Sequence, residues 1–209
     1  MPLDFTTLLT LASACAPAVA PTTLLAVAQV ESGFDPLAIG VNGPGARRVL
    51  AKTPAEAIRT AQALIAAGRN VDLGLGQINM RNLAPLGLSV AAAFDPCRNL
   101  AASARVLQAG YLSAAPAPGA EEQGLRTALS LYNTGDPVRG LRNGYVAKVS
   151  AAAEHLIPVL TGGGAAPVAA GPAAMPPVET TPAWAVFGGP PAGTLRGGFV
   201  LSPGDGATP

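Results

Sequence analysis

The stretch Leu24-Leu25-Ala26-Val27-Ala28-Gln29-Val30-Glu31-Ser32-Gly33 decides how the chain is organised. Pro21 suits the first position of a helix, and Gly33 suits the residue just past a helix end. Between these two residues the pattern predicts a helix over 21–32. Helical spacing places four side chains on one face of it: Leu24, Val27, Ala28 and Glu31. A carboxylate is therefore predicted to point in the same direction as the apolar side chains.

Glu31 occupies a costly position for a carboxylate. It lies in the last helical turn, where the negative end of the helix dipole disfavours an anion. Apolar surroundings disfavour the anion as well, so both effects predict a raised pKa for Glu31. The alternative is a Glu31 side chain that extends to the solvent at a frayed helix end.

The composition excludes several classes of protein. The chain has 209 residues, a net charge of +1, one His and two Cys. The small net charge gives no reason to expect a nucleic-acid partner. The His and Cys are too few for the common zinc sites, and no phosphate-binding glycine loop is present, so no metal or cofactor is expected. No apolar run reaches the roughly 18 residues of a membrane-spanning helix, and the N-terminal run lacks the basic start of a signal peptide.

The remaining patterns predict a mainly α-helical domain over 1–160. Thr53-Pro54-Ala55-Glu56 is a strong helix start, in which Thr53 caps the helix and Glu56 can bond back to the Thr53 amide. Segments 33–52 and 69–83 are predicted to be loops, the second with glycines on both sides of Leu75. Periodic apolar residues predict further helices over 4–15, from Thr53-Pro54 to a stop at Gly68, from Asp95-Pro96 through Tyr111, over 121–132 and over about 144–160.

Residues 161–209, here called the tail, have a different composition. Gly, Ala and Pro dominate, and Glu179, Arg196 and Asp205 are its only charges. The absence of any apolar period predicts a disordered segment. Its one apolar cluster is Trp184-Ala185-Val186-Phe187, which is either a docking motif or incidental.

Four ordered blocks of sequence resemble one family: Glu31-Ser32-Gly33, Gly74-Leu75-Gly76-Gln77-Ile78-Asn79, Leu131-Tyr132-Asn133-Thr134-Gly135 and Gly144-Tyr145-Val146. They occur in the order found in lytic transglycosylases of the SLT type, and their spacing is similar to the subfamily attached to type IV secretion systems. The resemblance covers roughly residues 5–155. It implies a lysozyme-like helical domain that cleaves the β-1,4 bond between N-acetylmuramic acid and N-acetylglucosamine in peptidoglycan.

The same resemblance implies a location and a setting. The enzyme would act on glycan strands in the periplasm and open the wall locally for a secretion apparatus. The tail would contact components of that apparatus. Some relatives release a comparable C-terminal segment, so cleavage after Leu160 is an expectation for this chain.

Site roles carry over motif by motif. Glu31 would first protonate the leaving oxygen and then accept the proton of the muramic C6 hydroxyl, which closes a 1,6-anhydro ring. The residues that would contact the substrate or shape its cleft are Ser32, Gln77, Asn79, Tyr132, Asn133 and Tyr145. Ser32 also fits a local helix-end role, and Tyr132 and Tyr145 also fit core packing.

The sequence also fits two other functions. A lysozyme-type hydrolysing muramidase would need a second carboxylate to position water, and Asp35 and Asp72 are the candidates. Asp35 precedes Pro36 and reads as a turn residue, whereas Asp72 could equally brace its loop through backbone amides. A non-catalytic wall-binding assembly factor is the third interpretation, although a pure binder would not need a carboxylate at position 31.

Cys15 and Cys97 are the only two cysteines of the chain. In a protein destined for the periplasm such a pair suggests a disulfide. Two buried free thiols are the alternative.

Overall fold

The computed structural model describes residues 1–160, with side-chain surroundings given for residues up to 157. The predictions for the tail, including its disorder and the Trp184–Phe187 cluster, lie outside the described residues. The described part is mainly helical with one small sheet, which confirms the predicted fold class. None of its helices is both long and apolar enough to cross a membrane.

The long helices lie where the sequence predicts them. They are α1 (Phe5–Cys15), α2 (Pro21–Ser32), α3 (Pro54–Ala66), α5 (Pro96–Ala114), α6 (Glu121–Thr134) and α8 (Tyr145–Leu160). Two four-residue helices, α4 (Leu83–Leu86) and α7 (Arg139–Arg142), complete the set, and single 3₁₀ turns occupy Met80–Asn82 and Ala92–Phe94.

Helix ends follow the local signals. Gly33 ends α2 in the left-handed conformation, with φ of 63°, which glycine adopts without a steric penalty. Thr53 caps α3 through its hydroxyl, which accepts a hydrogen bond from the Glu56 amide at 3.2 Å. The predicted bond from Glu56 back to the Thr53 amide is wrong by one residue. The Glu56 carboxylate accepts the amide of Lys52 instead, at 2.8 Å.

The prediction that segments 33–52 and 69–83 are loops is wrong, because these two segments contain the four strands of the sheet. Residues 33–52 hold β1 (Ala38–Val41) and β2 (Arg47–Leu50), and residues 69–83 hold β3 (Val71–Leu73) and β4 (Ile78–Asn79). All pairings are antiparallel, in the spatial order β2-β1-β3-β4. Strands of two to four residues are too short to show an alternating pattern in the sequence.

The interior consists of two apolar clusters. One cluster joins α1, α2, α6 and α8, and the other lies between the sheet, α3 and the short turns. Helix α5 contributes residues to both clusters, and Tyr132 packs against both. The molecule thus has a helical lobe and a sheet lobe that meet along α5, which creates a cleft between them.

A disulfide joins Cys15 and Cys97, the pair for which the sequence suggests a bridge. It links the end of α1 to the start of α5 across 82 residues of sequence. No free cysteine occurs among residues 1–160.

Candidate active site

The cleft between the lobes holds a small cavity of about 150 Å³ with Glu31 in its wall. Its walls come from α2, the sheet lobe, α5 and α6. The lining residues are Glu31, Asn42, Asp72, Gln77, Ile78, Asn79, Asn82, Val106, Tyr132 and Asn133. Two carboxyl groups and five side-chain amides therefore converge on one space, a composition suited to a polar, neutral ligand such as a sugar.

Glu31 lies at the last turn of α2, as the apolar face of that helix predicts. Desolvation raises the pKa of its carboxyl to about 7, and the nearby charge of Asp72 adds to this effect. A hydrogen bond from Tyr145 and the charge of Arg48 act in the opposite direction but do not overcome the desolvation. The Glu31 carboxyl can therefore carry or release a proton near neutral pH.

Tyr145 fixes one oxygen of that carboxyl. Its phenol donates a hydrogen bond to Glu31 Oε1 at 2.6 Å. Burial, together with the charge of Glu31, raises the pKa of the Tyr145 phenol, so it remains a donor. No donor from the described residues reaches Glu31 Oε2, which leaves that oxygen for a ligand in the cavity. Tyr145 itself is not among the residues that line the cavity.

Tyr132 lines the cavity but does not bond to Glu31. Its hydroxyl donates to the carbonyl oxygen of Gly76 at 2.6 Å. This bond ties α6 to the glycine loop between β3 and β4. The loop approaches so closely that a Cβ at Gly76 would collide with the hydroxyls of Ser103 and Tyr132.

Gln77 lines the cavity and has an unusual backbone conformation. Its φ is +48°, a left-handed value that is uncommon for a residue other than glycine. Its Nε2 donates to the carbonyls of Gly74 at 2.8 Å and Ala38 at 3.2 Å. Both hydrogens of the amide nitrogen are thus engaged, and the side chain lines the cavity in a fixed orientation.

Asp72 is held by side chains rather than by the backbone amides that the sequence suggests. Asn42 donates to its Oδ2 at 2.8 Å, and Asn79 donates to its Oδ1 at 2.7 Å. Burial raises the pKa of Asp72, and these two hydrogen bonds oppose the rise. The same Asn79 amide also donates to Asn70 at 2.8 Å.

The structure brings Asn133 to the cavity but not Ser32 or Asp35. Asn133 accepts a hydrogen bond from Asn143 at 3.0 Å. The buried Ser32 hydroxyl donates to the Ala28 carbonyl at 3.1 Å, which is the helix-end arrangement. The Asp35 carboxylate accepts the Leu37 amide at 3.0 Å, as a turn residue does, so it is not placed to position water in the cavity.

Sequence reasoning misses three features of the site. Asn42 appears in the sequence only as part of an Asn-Gly turn signal. Asn82 is buried in the cavity wall, and its Oδ1 has no hydrogen-bond partner among the described residues. Arg48, to which the sequence assigns no role, donates to the backbone carbonyl of Glu31 at the end of α2. Asn42 and Asn82 can be assigned to the site only when the position of the cleft is known. A basic residue is recognised from sequence as a partner of a helix C-terminus only when it lies in that helix, and Arg48 lies on β2 instead.

The residues described contain no group of three or more His, Cys, Asp or Glu side chains arranged to hold a metal ion. The polar groups of the cavity are amides, carboxyls and one phenol. Their chemistry is proton transfer and hydrogen bonding to a neutral ligand.

A family model described as a transglycosylase SLT domain matches residues 9–147. This chain belongs to the SLT transglycosylase domain family. The match contains Glu31, the glycine loop, Tyr132 and Tyr145, so it confirms the resemblance drawn from the four sequence blocks. No solved structure matches the chain.

Curated relatives of this SLT-domain chain carry the name virB1. Protein virB1 of Agrobacterium fabrum is 44% identical over 160 residues, which are 77% of this chain and 64% of the relative. The type IV secretion system protein virB1 of Brucella abortus is 44% identical over 155 residues, 70% of this chain and 63% of the relative. Protein virB1 of Rhizobium radiobacter is 42% identical over 146 residues, which are 70% of this chain and 60% of the relative. The match therefore spans less than two thirds of each relative's length.

Proposed function

We propose that this SLT-domain chain is a peptidoglycan lytic transglycosylase. It cleaves the β-1,4 bond between N-acetylmuramic acid and N-acetylglucosamine and forms a 1,6-anhydro product. The observation that carries the proposal is the environment of Glu31, a desolvated carboxyl with a pKa of about 7 in the wall of an amide-lined cavity. Membership of the SLT family supports the substrate class.

Glu31 supplies both proton transfers in this mechanism. With a pKa of about 7 it is protonated in a large fraction of molecules at neutral pH, and its side chain lines the ligand space. It donates its proton to the glycosidic oxygen as the bond to the muramic C1 breaks. The resulting carboxylate then accepts the proton of the C6 hydroxyl while that oxygen attacks C1. One carboxyl returns to its starting state, and no water is consumed.

Tyr145 positions the carboxyl for these two steps. Its phenol donates to Oε1 at 2.6 Å, and a carboxyl oxygen can accept this hydrogen bond whether or not the other oxygen carries a proton. Asn133, Gln77 and the free acceptor of Asn82 supply hydrogen bonds to the N-acetyl and hydroxyl groups of the sugars. Asn79 acts mainly through Asp72, because its amide hydrogens are already donated to Asp72 and Asn70.

A hydrolysing muramidase is the second candidate, and Asp72 is the observation that favours it. Asp72 lines the same cavity as Glu31 and is close enough to raise the pKa of Glu31. An ionised Asp72 could orient an attacking water. Both oxygens of its carboxylate, however, already accept hydrogen bonds from asparagines, which favours a bracing role.

Mass spectrometry of digested peptidoglycan separates the two chemistries. Purified sacculi are treated with the wild-type protein, and the released muropeptides are weighed. Products with 1,6-anhydro-muramic ends support the transglycosylase, whereas reducing ends that carry one additional water per cleavage support the muramidase. Release of neither product would support a non-catalytic assembly factor.

The names of the relatives support a biological setting. Because the Brucella relatives are named as type IV secretion system proteins, we propose that this enzyme acts in the periplasm and opens the wall for such a system. Co-purification of the full chain with secretion components from cross-linked envelopes tests this setting. Recovery of the chain only from the cytosolic fraction would contradict it.

The division of the chain into a catalytic domain over 1–160 and a separate tail over 161–209 is also a proposal. The residues that form the cavity all lie before residue 134, and Tyr145 completes the site. A chain truncated after Leu160 is therefore expected to digest sacculi at the wild-type rate. Loss of digestion by a truncated chain with intact helical circular dichroism would assign the tail to the catalytic unit.

A further inference from the structure

A second cavity lies on the helical lobe, away from the active site. It has a volume of about 160 Å³ and lies between α2, α6 and α8. Its buried walls are Thr23, Leu125, Leu129, Val149 and Ala153. None of its lining residues also lines the cavity of Glu31.

One polar atom in this apolar wall is left without a partner. Thr23 is only 3% exposed, and its hydroxyl oxygen has no hydrogen-bond partner among the described residues. An unpaired buried hydroxyl costs roughly 1–3 kcal/mol. A ligand with an apolar body and one hydrogen-bond donor would pack against the apolar wall and donate to the hydroxyl oxygen of Thr23.

The chain itself contains a group of this kind. Its single tryptophan is Trp184, in the apolar cluster Trp184-Ala185-Val186-Phe187 of the tail. An indole presents a large apolar face and one N–H, which can only donate. Residues 180–195 contain no charged side chain, so this part of the tail can enter an apolar cavity without burying a charge.

The point where the tail begins places this segment within reach. Ala153 is seven residues before Leu160, which corresponds to about 10 Å along α8. Twenty-three residues separate Leu160 from Trp184, and a random coil of that length spans roughly 26 Å. A linker of this length is long enough for Trp184 to reach the cavity between α2, α6 and α8. Because the segment is tethered to the lobe, its effective concentration at the cavity is about millimolar.

We propose that the Trp184–Phe187 segment docks into the cavity between α2, α6 and α8, with the indole N–H donating to the hydroxyl oxygen of Thr23. Leu125, Leu129 and Val149 contact the apolar face of the segment. Glu122, Arg126 and Glu154 form the charged rim.

Tryptophan fluorescence tests this docking, because the full chain contains one tryptophan. In the wild-type chain, Trp184 is expected to emit at shorter wavelength than in the denatured chain and to resist quenching by acrylamide. Ala153→Leu, which fills the cavity, should increase acrylamide quenching several-fold and shift the emission to longer wavelength. Ala151→Leu makes the same change at an exposed position of α8 and should leave the signal unchanged.

Thr23→Val tests the hydrogen bond separately. Valine keeps the shape of threonine but removes the acceptor, so it should increase the quenching of Trp184 without loss of helical circular dichroism. Wild-type emission equal to that of the denatured chain would overturn the docking, and so would protection that survives Ala153→Leu. Protection that depends on protein concentration would assign the occupant to a second copy and also overturn it. Unchanged quenching in Thr23→Val would overturn the assignment of the donor.

Discussion

At the scale of single residues, the proton of Glu31 is governed by opposing neighbours. Its pKa of about 7 results from desolvation and the charge of Asp72, against the Tyr145 hydrogen bond and the charge of Arg48. A general acid acts in its protonated form. We therefore expect kcat/KM to fall about tenfold per pH unit above pH ~7.

Two variants should shift the pH at which kcat/KM begins to fall, here called the alkaline limb, in opposite directions. Tyr145→Phe removes a hydrogen bond that lowers the pKa of Glu31, so the pKa should rise and the limb should shift to higher pH. Asp72→Asn removes a charge that raises the pKa, so the limb should shift to lower pH. Profiles of kcat/KM against pH for the three proteins check the signs. Shifts in the same direction would contradict this electrostatic account.

Asn82 is expected to bind substrate without contributing to stability. Its Oδ1 has no partner in the described part of the chain, so Asn82→Leu should leave the melting temperature nearly unchanged. Loss of one neutral hydrogen bond to the sugar, about 1 kcal/mol, should raise KM about fivefold with little change in kcat.

Asn79→Leu is the matched comparison for Asn82→Leu. It breaks the hydrogen bonds that Asn79 donates to Asp72 and Asn70 and therefore should lower the melting temperature. Melting curves and initial rates measured side by side distinguish the two asparagines. An Asn82→Leu protein that melts well below wild type with unchanged KM would show a structural role instead.

The sequence predicts individual site residues well where a helix carries them. Helical spacing predicts that Glu31 points in the same direction as the apolar side chains and has a raised pKa. In the structure its carboxyl is desolvated and has a pKa of about 7, although mostly polar side chains line the cavity. The partners of Asp72 were not predictable, because Asn42 and Asn79 lie 30 and 7 residues away and meet Asp72 only through strand pairing. Asn82 carries no signal of its own in the sequence.

At the scale of elements, the β3–β4 loop depends on the absence of a side chain at Gly76. The Gly76 amide donates to Asn99 at 2.7 Å while its carbonyl accepts from Tyr132. Gly76→Ala would push the new Cβ into the hydroxyls of Ser103 and Tyr132. We expect a loss of roughly 1–3 kcal/mol in the free energy of unfolding and a loss of activity, since Tyr132 must move.

Gly68→Ala is the control for this prediction. Gly68 follows α3, has φ of +72°, and has open space where a Cβ would lie. Its substitution should cost about 1 kcal/mol through the backbone alone and leave specific activity unchanged. Denaturant titrations and assays on sacculi measure both effects. Equal activity in the two variants would show that the close approach at Gly76 does not shape the site.

The glycines of β1 and of the β3–β4 loop explain why the sequence does not predict the sheet. Glycines occupy one position of β1 and two of the four positions of the β3–β4 loop, and they weaken any strand pattern. The long helices α3 and α5 carry caps and periodic apolar faces, so local sequence is sufficient to predict them. The sheet depends instead on pairings between segments such as Gly40 and Asp72, which are 32 residues apart.

At the scale of the whole molecule, the disulfide joins the helical lobe to the long helix shared by both lobes. Closing an 82-residue separation stabilises the folded chain by about 4–5 kcal/mol in the chain-entropy model. The double variant Cys15→Ser/Cys97→Ser should therefore unfold at markedly lower denaturant concentration. Wild-type protein with and without a reductant provides the control. Identical unfolding midpoints for the wild-type and double-variant proteins would contradict a stabilising bridge.

In the proposed mechanism Glu31 alone performs the acid and base steps. The most direct measurement is the rate of muropeptide release from sacculi by Glu31→Gln compared with Asp72→Asn. Loss of general acid–base catalysis predicts that Glu31→Gln slows release by about 10²–10⁴-fold with the fold intact, whereas Asp72→Asn still forms anhydro products. Release at the wild-type rate by Glu31→Gln would contradict the account.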